Sequence, residues 1–175
     1  MAVIWKNIPT FAGVNPKWRE YGYMKRLLLV IFCFSTFFVH NTVLRPDLME
    51  VRNLVTAHEM VVDGHWLVPT MNGEYRLEKP PLPTWVSACV ELVCGDSLAM
   101  QRATAGLMGL LLALFLYLLT LRLTASRRTA LVSALMLMTC YTVILQGRTV
   151  TWDIYCHAFM MGAVWLCCPG PHPDP

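Results

Sequence analysis

The sequence predicts an all-α integral membrane protein with about four transmembrane helices and an outer loop that carries two surface helices. Composition gives the first observation: 56% of the 175 residues are hydrophobic and 14% are charged, whereas a soluble domain carries about 25% charged residues. Three long apolar stretches give the second, because a domain of this size seldom buries so much apolar surface in one core. We therefore expect the chain to lie in a lipid bilayer.

The first apolar run covers residues 27–44 and follows a basic segment. At about 1.5 Å per residue, a helix of this length nearly crosses a hydrocarbon core of roughly 30 Å. A cleaved signal peptide is the competing interpretation, but Leu44-Arg45-Pro46 is not a small-residue cleavage site. The run is therefore the first predicted span.

The next two apolar runs, 103–121 and 129–146, contain no charged residue, and Arg122, Arg127 and Arg128 lie between them. Loops rich in Lys and Arg tend to stay on the cytoplasmic side of a membrane. This tendency places the arginine turn and the basic N-terminus in the cytoplasm, and the segment between spans 1 and 2 outside it.

A fourth run, 154–168, ends where a proline-rich tail begins. Because proline interrupts helices, we expect this span to be incomplete and the chain to be truncated. In order, the predicted segments are the cytoplasmic N-terminus (1–26), span 1 (27–44), the extracytoplasmic loop (45–102), span 2 (103–121), a cytoplasmic turn (122–128), span 3 (129–146), a second extracytoplasmic loop (147–153), a partial span 4 (154–168) and an irregular tail (169–175).

The loop 45–102 is too long and too patterned for a plain connection. Its apolar residues recur at helical spacing over residues 48–62, and residues 83–93 form a second, more apolar candidate helix. Both helices can lie along the membrane surface. The stretch between them has turn residues at each end and carries Trp66, a residue type suited to the membrane interface.

Two classes of site are disfavoured. A net charge of +3 with no basic patch does not favour nucleic-acid binding. The seven cysteines have no paired zinc-ligand spacing and are typical of small apolar residues in membrane helices.

Charged residues gather at the predicted outer ends of the spans. Ionisable groups there cost free energy unless they face water or a partner, although interfacial anchoring is the simpler interpretation of any one of them. Taken together they favour surface chemistry. The residues concerned are Asp47, Glu50, Arg52, Glu78, Lys79, Arg148 and Asp153.

An ordered series of motifs resembles glycosyltransferase family 39, the aminoarabinose transferase and protein O-mannosyltransferase group. The resemblance covers residues 44–165 and implies the type-C glycosyltransferase architecture. Members of this family are much longer, which implies that the chain is an N-terminal fragment, inactive as it stands. The motifs are Asp47-Leu48-Met49-Glu50-Val51-Arg52, Gly64-His65-Trp66-Leu67-Val68-Pro69 and Glu78-Lys79-Pro80-Pro81 in the first outer loop, and Gly147-Arg148-Thr149-Val150-Thr151-Trp152-Asp153 in the second.

The resemblance implies a catalytic carboxylate in the first outer loop, in an Asp-Glu-x-Arg context. If Arg52 matches the family arginine, Glu50 takes the glutamate place and Met49 the aspartate place. Both Asp47 and Glu50 are therefore candidates, and Asp47 is preferred because it follows a proline as in the family. Asp153 matches the family's second aspartate.

The chemistry implied is a displacement in which a carboxylate removes a proton from the acceptor hydroxyl as it attacks the sugar. Lys79, assisted by Arg52 or Arg148, would bind the leaving phosphate. For Glu78 the resemblance implies a divalent-metal contact, against an exposed carboxylate paired with Lys79 or Arg76. No nucleotide cofactor is expected.

We therefore expect a hexosyl- or pentosyltransferase that uses a polyprenyl-phosphate-linked sugar, with either lipid A or a protein hydroxyl as acceptor. It would modify lipid A or glycosylate protein in the cell envelope, among membrane lipids and without nucleic acid. Its site would face outward from the plasma or inner membrane. The alternatives are a noncatalytic membrane assembly protein, or a fragment of a transporter or flippase.

Overall fold

The structure is a computed structural model that describes residues 28–169. The predicted N-terminus (1–26) and most of the predicted tail (169–175) lie outside these residues. Helices account for 70% of the described residues and strands for 3%, which confirms the all-α class. The elements are α1 (Leu28–Phe37), α2 (Leu48–Val62), β1 (Thr70–Met71), β2 (Glu74–Tyr75), α3 (Pro81–Cys94), α4 (Leu98–Thr124), α5 (Arg127–Met138), α6 (Tyr141–Gln146) and α7 (Trp152–Cys167).

Helices α2 and α3 confirm the two helices predicted for the loop 45–102. Helix α2 has the predicted bounds, and Asp47 caps it by accepting a hydrogen bond from the Glu50 N–H at 2.7 Å. Helix α3 begins at Pro81, a residue that fits the first turn because its missing N–H has no helical partner there. The two helices pack through Ala57, Met60 and Ala88.

A short β-hairpin with a two-residue turn lies between α2 and α3. Strands β1 and β2 pair antiparallel, with Thr70 opposite Tyr75 and Met71 opposite Glu74. Asn72 and Gly73 form the turn with φ values of 56° and 77°, the left-handed pair that a tight hairpin requires. The hairpin folds onto α2, since β1 contacts that helix.

Within residues 28–169, α4 is the single helix that is both long and apolar enough to cross a bilayer, judged by length and composition. It has 27 residues and extends the predicted run 103–121 at both ends. The prediction of about four spans is not confirmed, since α7 has 16 residues and the described part of α1 is shorter. Helix α1 ends at Phe37 and turns follow, so it does not continue to residue 44.

The prediction of one continuous helix over 129–146 is wrong. Helix α5 ends at Met138 and α6 begins at Tyr141. At the break the Thr139 hydroxyl donates to the Met136 carbonyl at 2.9 Å. The Cys140 N–H donates to the carbonyl of Leu137, three residues earlier, at 3.1 Å. Such local bonds from threonine compete with the regular helical ladder, and they end α5 within an apolar run.

Phe37 fills the centre of the main core, where α4 packs against α5 and α7. A Cβ added at Gly147 would lie 2.5 Å from the Phe37 ring, and one at Gly109 would lie 2.9 Å from it. At Gly106 the nearest Phe37 atom would be 3.2 Å away. Gly106 and Gly109 therefore allow the close approach of Phe37 to α4 and serve helix packing.

Candidate functional site

A buried ion pair joins α2 to α4. Arg102 donates from Nε to Glu50 Oε1 at 2.8 Å and from Nη2 to Glu50 Oε2 at 2.7 Å, and both side chains are fully buried. Its Nη1 donates to the carbonyls of Asn41 and Leu44. This bidentate geometry is the strongest form of an arginine–carboxylate contact. The pair therefore fixes α2 and the segment after α1 to the N-terminal end of α4.

The same carboxylate fixes the approach to α7. The Val150 N–H donates to Glu50 Oε1 at 3.0 Å, and the Val150 carbonyl accepts from Asn53 Nδ2 at 3.2 Å. Both carboxylate oxygens of Glu50 are thus engaged by buried donors, while a general base needs an oxygen that the substrate can reach. Glu50 therefore holds α2, α4 and the approach to α7 together, and its catalytic role stays a prediction that these contacts do not support.

Asp47 is left as the candidate base in the first loop. It is exposed at the start of α2, and its Oδ1 is the oxygen that caps the helix. Its Oδ2 accepts no hydrogen bond from residues 28–169. One carboxylate oxygen therefore holds the side chain in place while the other is open to a substrate.

Trp152 forms a platform on which residues from distant parts of the chain meet. Its ring is buried, and its Nε1 donates to Thr84 Oγ1 at 3.2 Å. The Arg76 guanidinium lies 4.3 Å from the ring centroid and the Lys79 ammonium 5.9 Å from it, both within cation–π range. The next residue, Asp153, is exposed in the first turn of α7. Lys79, one of the residues that the sequence assigned to the site, thus lies over Trp152, and Asp153 follows this tryptophan in the chain.

A polar cavity of about 180 Å³ lies beside this platform. Arg52 and Glu78, both predicted site residues, share its wall with Arg76. Burial, and next the positive charge of Arg52, lower the pKa of Arg76, while the charge of Glu78 opposes this shift. Sequence reasoning missed Arg76 because an arginine beside a turn carries no distinguishing local signal. The cavity is lined by Arg52, Met71, Glu74, Tyr75, Arg76 and Glu78.

Arg148 has a different place from the one predicted. Its Nε donates to the Thr36 carbonyl at 2.8 Å, and its Nη2 donates to the carbonyls of Ser35 at 3.1 Å and Val39 at 2.8 Å. Cations at a helix C-terminus satisfy its last carbonyls and its dipole. Arg148 therefore secures the end of α1, and these contacts do not fit the prediction that it binds substrate.

Glu78 is exposed on the cavity wall with no ion-pair partner among the described residues, whose ion pairs join His58 to Glu91 and Arg102 to Glu50. Across residues 28–169 no group of three or more His, Cys, Asp and Glu side chains is placed to hold a metal ion. One or two carboxylates do not make a closed metal site. The divalent metal at Glu78 stays a prediction.

Known proteins resemble both the sequence and the fold. An undecaprenyl phosphate-alpha-4-amino-4-deoxy-L-arabinose arabinosyl transferase 2 of Proteus mirabilis is 31% identical over 144 residues, covering 81% of this chain and 26% of that protein. The corresponding transferase of Erwinia tasmaniensis is 30% identical and covers 82% of this chain and 27% of its own length. This chain therefore spans about a quarter of the curated relatives it matches.

The crystal structure of ArnT from Cupriavidus metallidurans in the apo state aligns with 91% of this chain and 29% of its own, at a TM-score of 0.72 and 20% identity. The same protein bound to undecaprenyl phosphate aligns equally well. At this identity the likeness concerns the fold alone. The family described as dolichyl-phosphate-mannose-protein mannosyltransferase matches residues 78–169, more than half of the chain. The chain belongs to this glycosyltransferase family, as the motifs of its two outer loops predict.

Proposed function

We propose that the protein is a membrane glycosyltransferase that moves a sugar from a polyprenyl phosphate to a hydroxyl of lipid A or of a protein. One observation carries the proposal: Arg76 and Lys79 lie over the Trp152 ring, and Arg76 shares the wall of a polar cavity with Arg52. A donor of this class leaves as a phosphate anion, and grouped cations stabilise such a leaving group. Membership in the family supports the same reaction class.

In the proposed reaction Asp47 is the general base. It removes the proton of the acceptor hydroxyl, whose oxygen forms a bond to the anomeric carbon as the bond to the phosphate oxygen breaks. The electron pair of that bond stays on the phosphate, where Lys79 and Arg52 counter its charge. A single displacement inverts the sugar. Asp153, beside the Trp152 platform, is the second candidate carboxylate.

The donor and the location form part of the proposal. The Proteus mirabilis relative is named for undecaprenyl phosphate and a pentose, and the family description names a hexose, mannose, and a protein acceptor. Both support a lipid-phosphate donor. We place α4 across an inner or plasma membrane, with α2, α3 and the cavity on the extracytoplasmic side, as the distribution of basic residues predicts.

The rival classes fit the structure less well. A flippase or transporter commonly carries ionisable groups near the bilayer midplane. In α4 the charged residues are Arg102 and Arg122, which lie towards its two ends. A noncatalytic assembly protein would tolerate neutral substitutions at Asp47, Lys79 and Asp153, which the following test examines directly.

The test is sugar transfer in membranes from a labelled undecaprenyl-phosphate sugar, with lipid A and a serine-rich peptide as separate acceptors. Asp47→Asn is a sharp variant, because asparagine caps a helix as well as aspartate does but cannot accept the proton. We expect it to lower the transfer rate by roughly 10²–10⁴-fold with unchanged thermal unfolding. Asp63→Asn is the matched control, since Asp63 is also an exposed carboxylate at an end of α2.

The chain and a chimera that continues it with the remainder of the Proteus mirabilis relative are assayed side by side. This pair also tests the sequence-based prediction that the chain is inactive as it stands. Transfer that survives both Asp47→Asn and Asp153→Asn would exclude these carboxylates as the base. Absence of transfer to either acceptor in the folded chimera would overturn the proposed function.

A further inference from the structure

The hairpin of strands β1 and β2 depends on contacts outside itself. Each strand has two residues, and an isolated two-stranded hairpin is at best marginally stable in water. The hairpin nevertheless forms much of the wall of the polar cavity, through Met71, Glu74 and Tyr75 of its strands and Arg76 directly after them. The contacts that hold the hairpin in place therefore also set the shape of the cavity.

One face of α2 holds the hairpin at both of its ends. Arg52, Thr56 and Glu59 are spaced at i, i+4 and i+7 and so lie on the same side of the helix. At the open end of the hairpin, Arg76 Nη1 donates to the Arg52 carbonyl and to Thr56 Oγ1, both at 2.8 Å. Glu59 contacts the opposite end, where the chain turns.

The Glu59 carboxylate binds the turn through both of its oxygens. Its Oε1 accepts from the Asn72 N–H, and its Oε2 accepts from the Gly73 N–H at 3.4 Å. Hydrogen bonds to an ionised group are roughly twice as strong as those between neutral groups. One side chain thus ties the tip of the hairpin to α2.

The ionisation of Glu59 follows from these contacts. Burial raises the pKa of Glu59, but bonds from the Thr70 hydroxyl and the two turn amides, together with the charge of His65, lower it by more. The pKa therefore lies below its ordinary value of 4.5. The carboxylate is charged at neutral pH, and its bonds to the turn weaken as the pH falls through this lowered pKa.

We propose that Glu59 is a positioning residue, which holds the hairpin closed on α2 and thereby fixes the cavity walls for the polyprenyl-phosphate donor. Glu59 does not line the cavity, so it acts through the turn amides of Asn72 and Gly73. The inference rests on the proposed function and deepens it by adding a residue that controls the site from outside. Hairpin closure and donor binding are then coupled, because a ligand that binds the closed form alone depletes the open form.

Amide hydrogen exchange of the peptide that contains residues 70–76 reports opening of the hairpin, measured on the whole chain in nanodiscs. Glu59→Gln keeps the size of the side chain but removes its charge and one acceptor oxygen. We expect exchange in this peptide to become roughly 10- to 100-fold faster, the loss typical of hydrogen bonds to a charged group. Glu59→Asp keeps the charge but is one methylene shorter, so its increase should be intermediate.

Glu91→Gln is the matched control, because Glu91 is a carboxylate of α3 that bonds to His58 of α2. Either substitution can lower the melting temperature, but Glu91→Gln should leave the exchange of residues 70–76 unchanged. Equal acceleration in both variants would reflect global destabilisation and would overturn the local role of Glu59. So would a folded Glu59→Gln protein whose exchange in this peptide stays within about twofold of the wild type.

The pH dependence gives a check that a purely steric role would not produce. A carboxylate whose pKa is lowered by folding contributes its stabilisation above pH 4.5 and loses it as the pH falls through the lowered pKa. After correction for the intrinsic rate, exchange of residues 70–76 in the wild type should therefore accelerate below pH 4.5. The acceleration should be absent in Glu59→Gln, and an equal acceleration there would contradict the role of the charge.

Undecaprenyl phosphate separates positioning from stabilisation alone. At about a hundred times its dissociation constant, a ligand that binds only the closed form should slow exchange of residues 70–76 in the wild type by about 100-fold. Binding without any slowing would overturn the positioning role alone, because the cavity would then accept its ligand with the hairpin open. No binding by the chain or by the chimera of the transfer assay would overturn the proposed function and the donor as ligand. Exchange in Glu59→Gln would still decide whether Glu59 holds the hairpin.

Discussion

Two buried arginines contact the same helix, α2, and they differ in what their guanidinium groups meet. Arg102 holds Glu50 on one edge and two backbone carbonyls on the other. Arg76 lies on the wall of a cavity and is anchored by Nη1 alone, and its buried Nε has no hydrogen-bond partner among the described residues. Both burials carry a desolvation cost. In one case the chain supplies the compensating anion, and in the other no carboxylate of the described residues forms an ion pair with the arginine.

The largest effect is expected when Arg102 loses its carboxylate partner, Glu50. Glu50→Gln leaves Arg102 buried without its anion, so the free energy of unfolding should fall by about 3–5 kcal/mol. Chemical unfolding of the protein in detergent measures this loss. Replacing both partners by Met and Leu should restore much of the stability, because an apolar pair needs no compensating charge. A folded Glu50→Gln protein that lacks only transfer activity would return Glu50 to the catalytic candidates.

Arg148 provides an intermediate case, since its partners are carbonyls and not a carboxylate. Arg148→Met removes three contacts to the end of α1, and the loss of stability should be about 1.5–3 kcal/mol. Binding of undecaprenyl phosphate should be unchanged when measured below the melting temperature. A phosphate-binding defect in the folded variant would show that Arg148 does contact substrate.

Arg76 should contribute less to stability than either of these residues. Arg76→Gln loses the bonds of Nη1 but also removes an uncompensated charge, so we expect a net change of about 1 kcal/mol or less. The comparison becomes sharper with ligand present: a phosphate probe at about a hundred times its dissociation constant stabilises a binding protein by about 2.7 kcal/mol. The full increment should appear in the wild type, and it should fall to about 0.4–1.4 kcal/mol in Arg76→Gln if this variant binds the probe roughly 10- to 100-fold less tightly. If the probe stabilised the wild type and Arg76→Gln equally, Arg76 would not take part in phosphate binding.

The smallest effect concerns an ion pair between α2 and α3 whose histidine is exposed. His58 Nδ1 lies 2.6 Å from Glu91 Oε1 of α3, and this hydrogen bond, followed by the charge of Glu91, raises the pKa of His58 above 6.5. The pair's stabilisation is therefore full below pH 6.5 and is lost as the pH rises through the raised pKa. Because the histidine is 57% exposed, we expect no more than about 1 kcal/mol.

Thermal unfolding between pH 5.5 and 8.5 measures this slope, and Glu91→Gln should flatten it. The neighbouring charges of Asp63 and Asp96 act in the same direction, so Asp63→Asn should reduce the slope only slightly. A wild-type stability that rises over this range would contradict the assignment.

Local patterns predicted the surface helices well, while the site depended on contacts between distant residues. The bounds of α2 follow from an aspartate cap and apolar spacing, and α3 follows from a proline start. Arg102 carried a usable signal, since a charge at the edge of an apolar run needs a partner. Nothing local identifies that partner as Glu50, 52 residues earlier.

Arg148, Arg76 and the break at Thr139 show the same limit of local patterns. Arg148 stands beside Asp153 in the sequence, yet its donors point to α1, more than a hundred residues earlier. Arg76 looks like any polar residue after a hairpin, and only the stacking on Trp152 distinguishes it. The break at Thr139 was missed because the apolar run continues through it, and hydropathy does not report local hydrogen bonds.

The bond from the Val150 N–H to Glu50 also sets an order of events during synthesis. Glu50 can pair with Arg102 as soon as α4 has left the ribosome, but Val150 and Trp152 follow only tens of residues later. At roughly 5–20 residues per second, Trp152 is synthesised a few seconds after the end of α4. During that interval Glu50 and Arg102 are both available to pair, but the Trp152 ring that lies against Arg76 is not yet present.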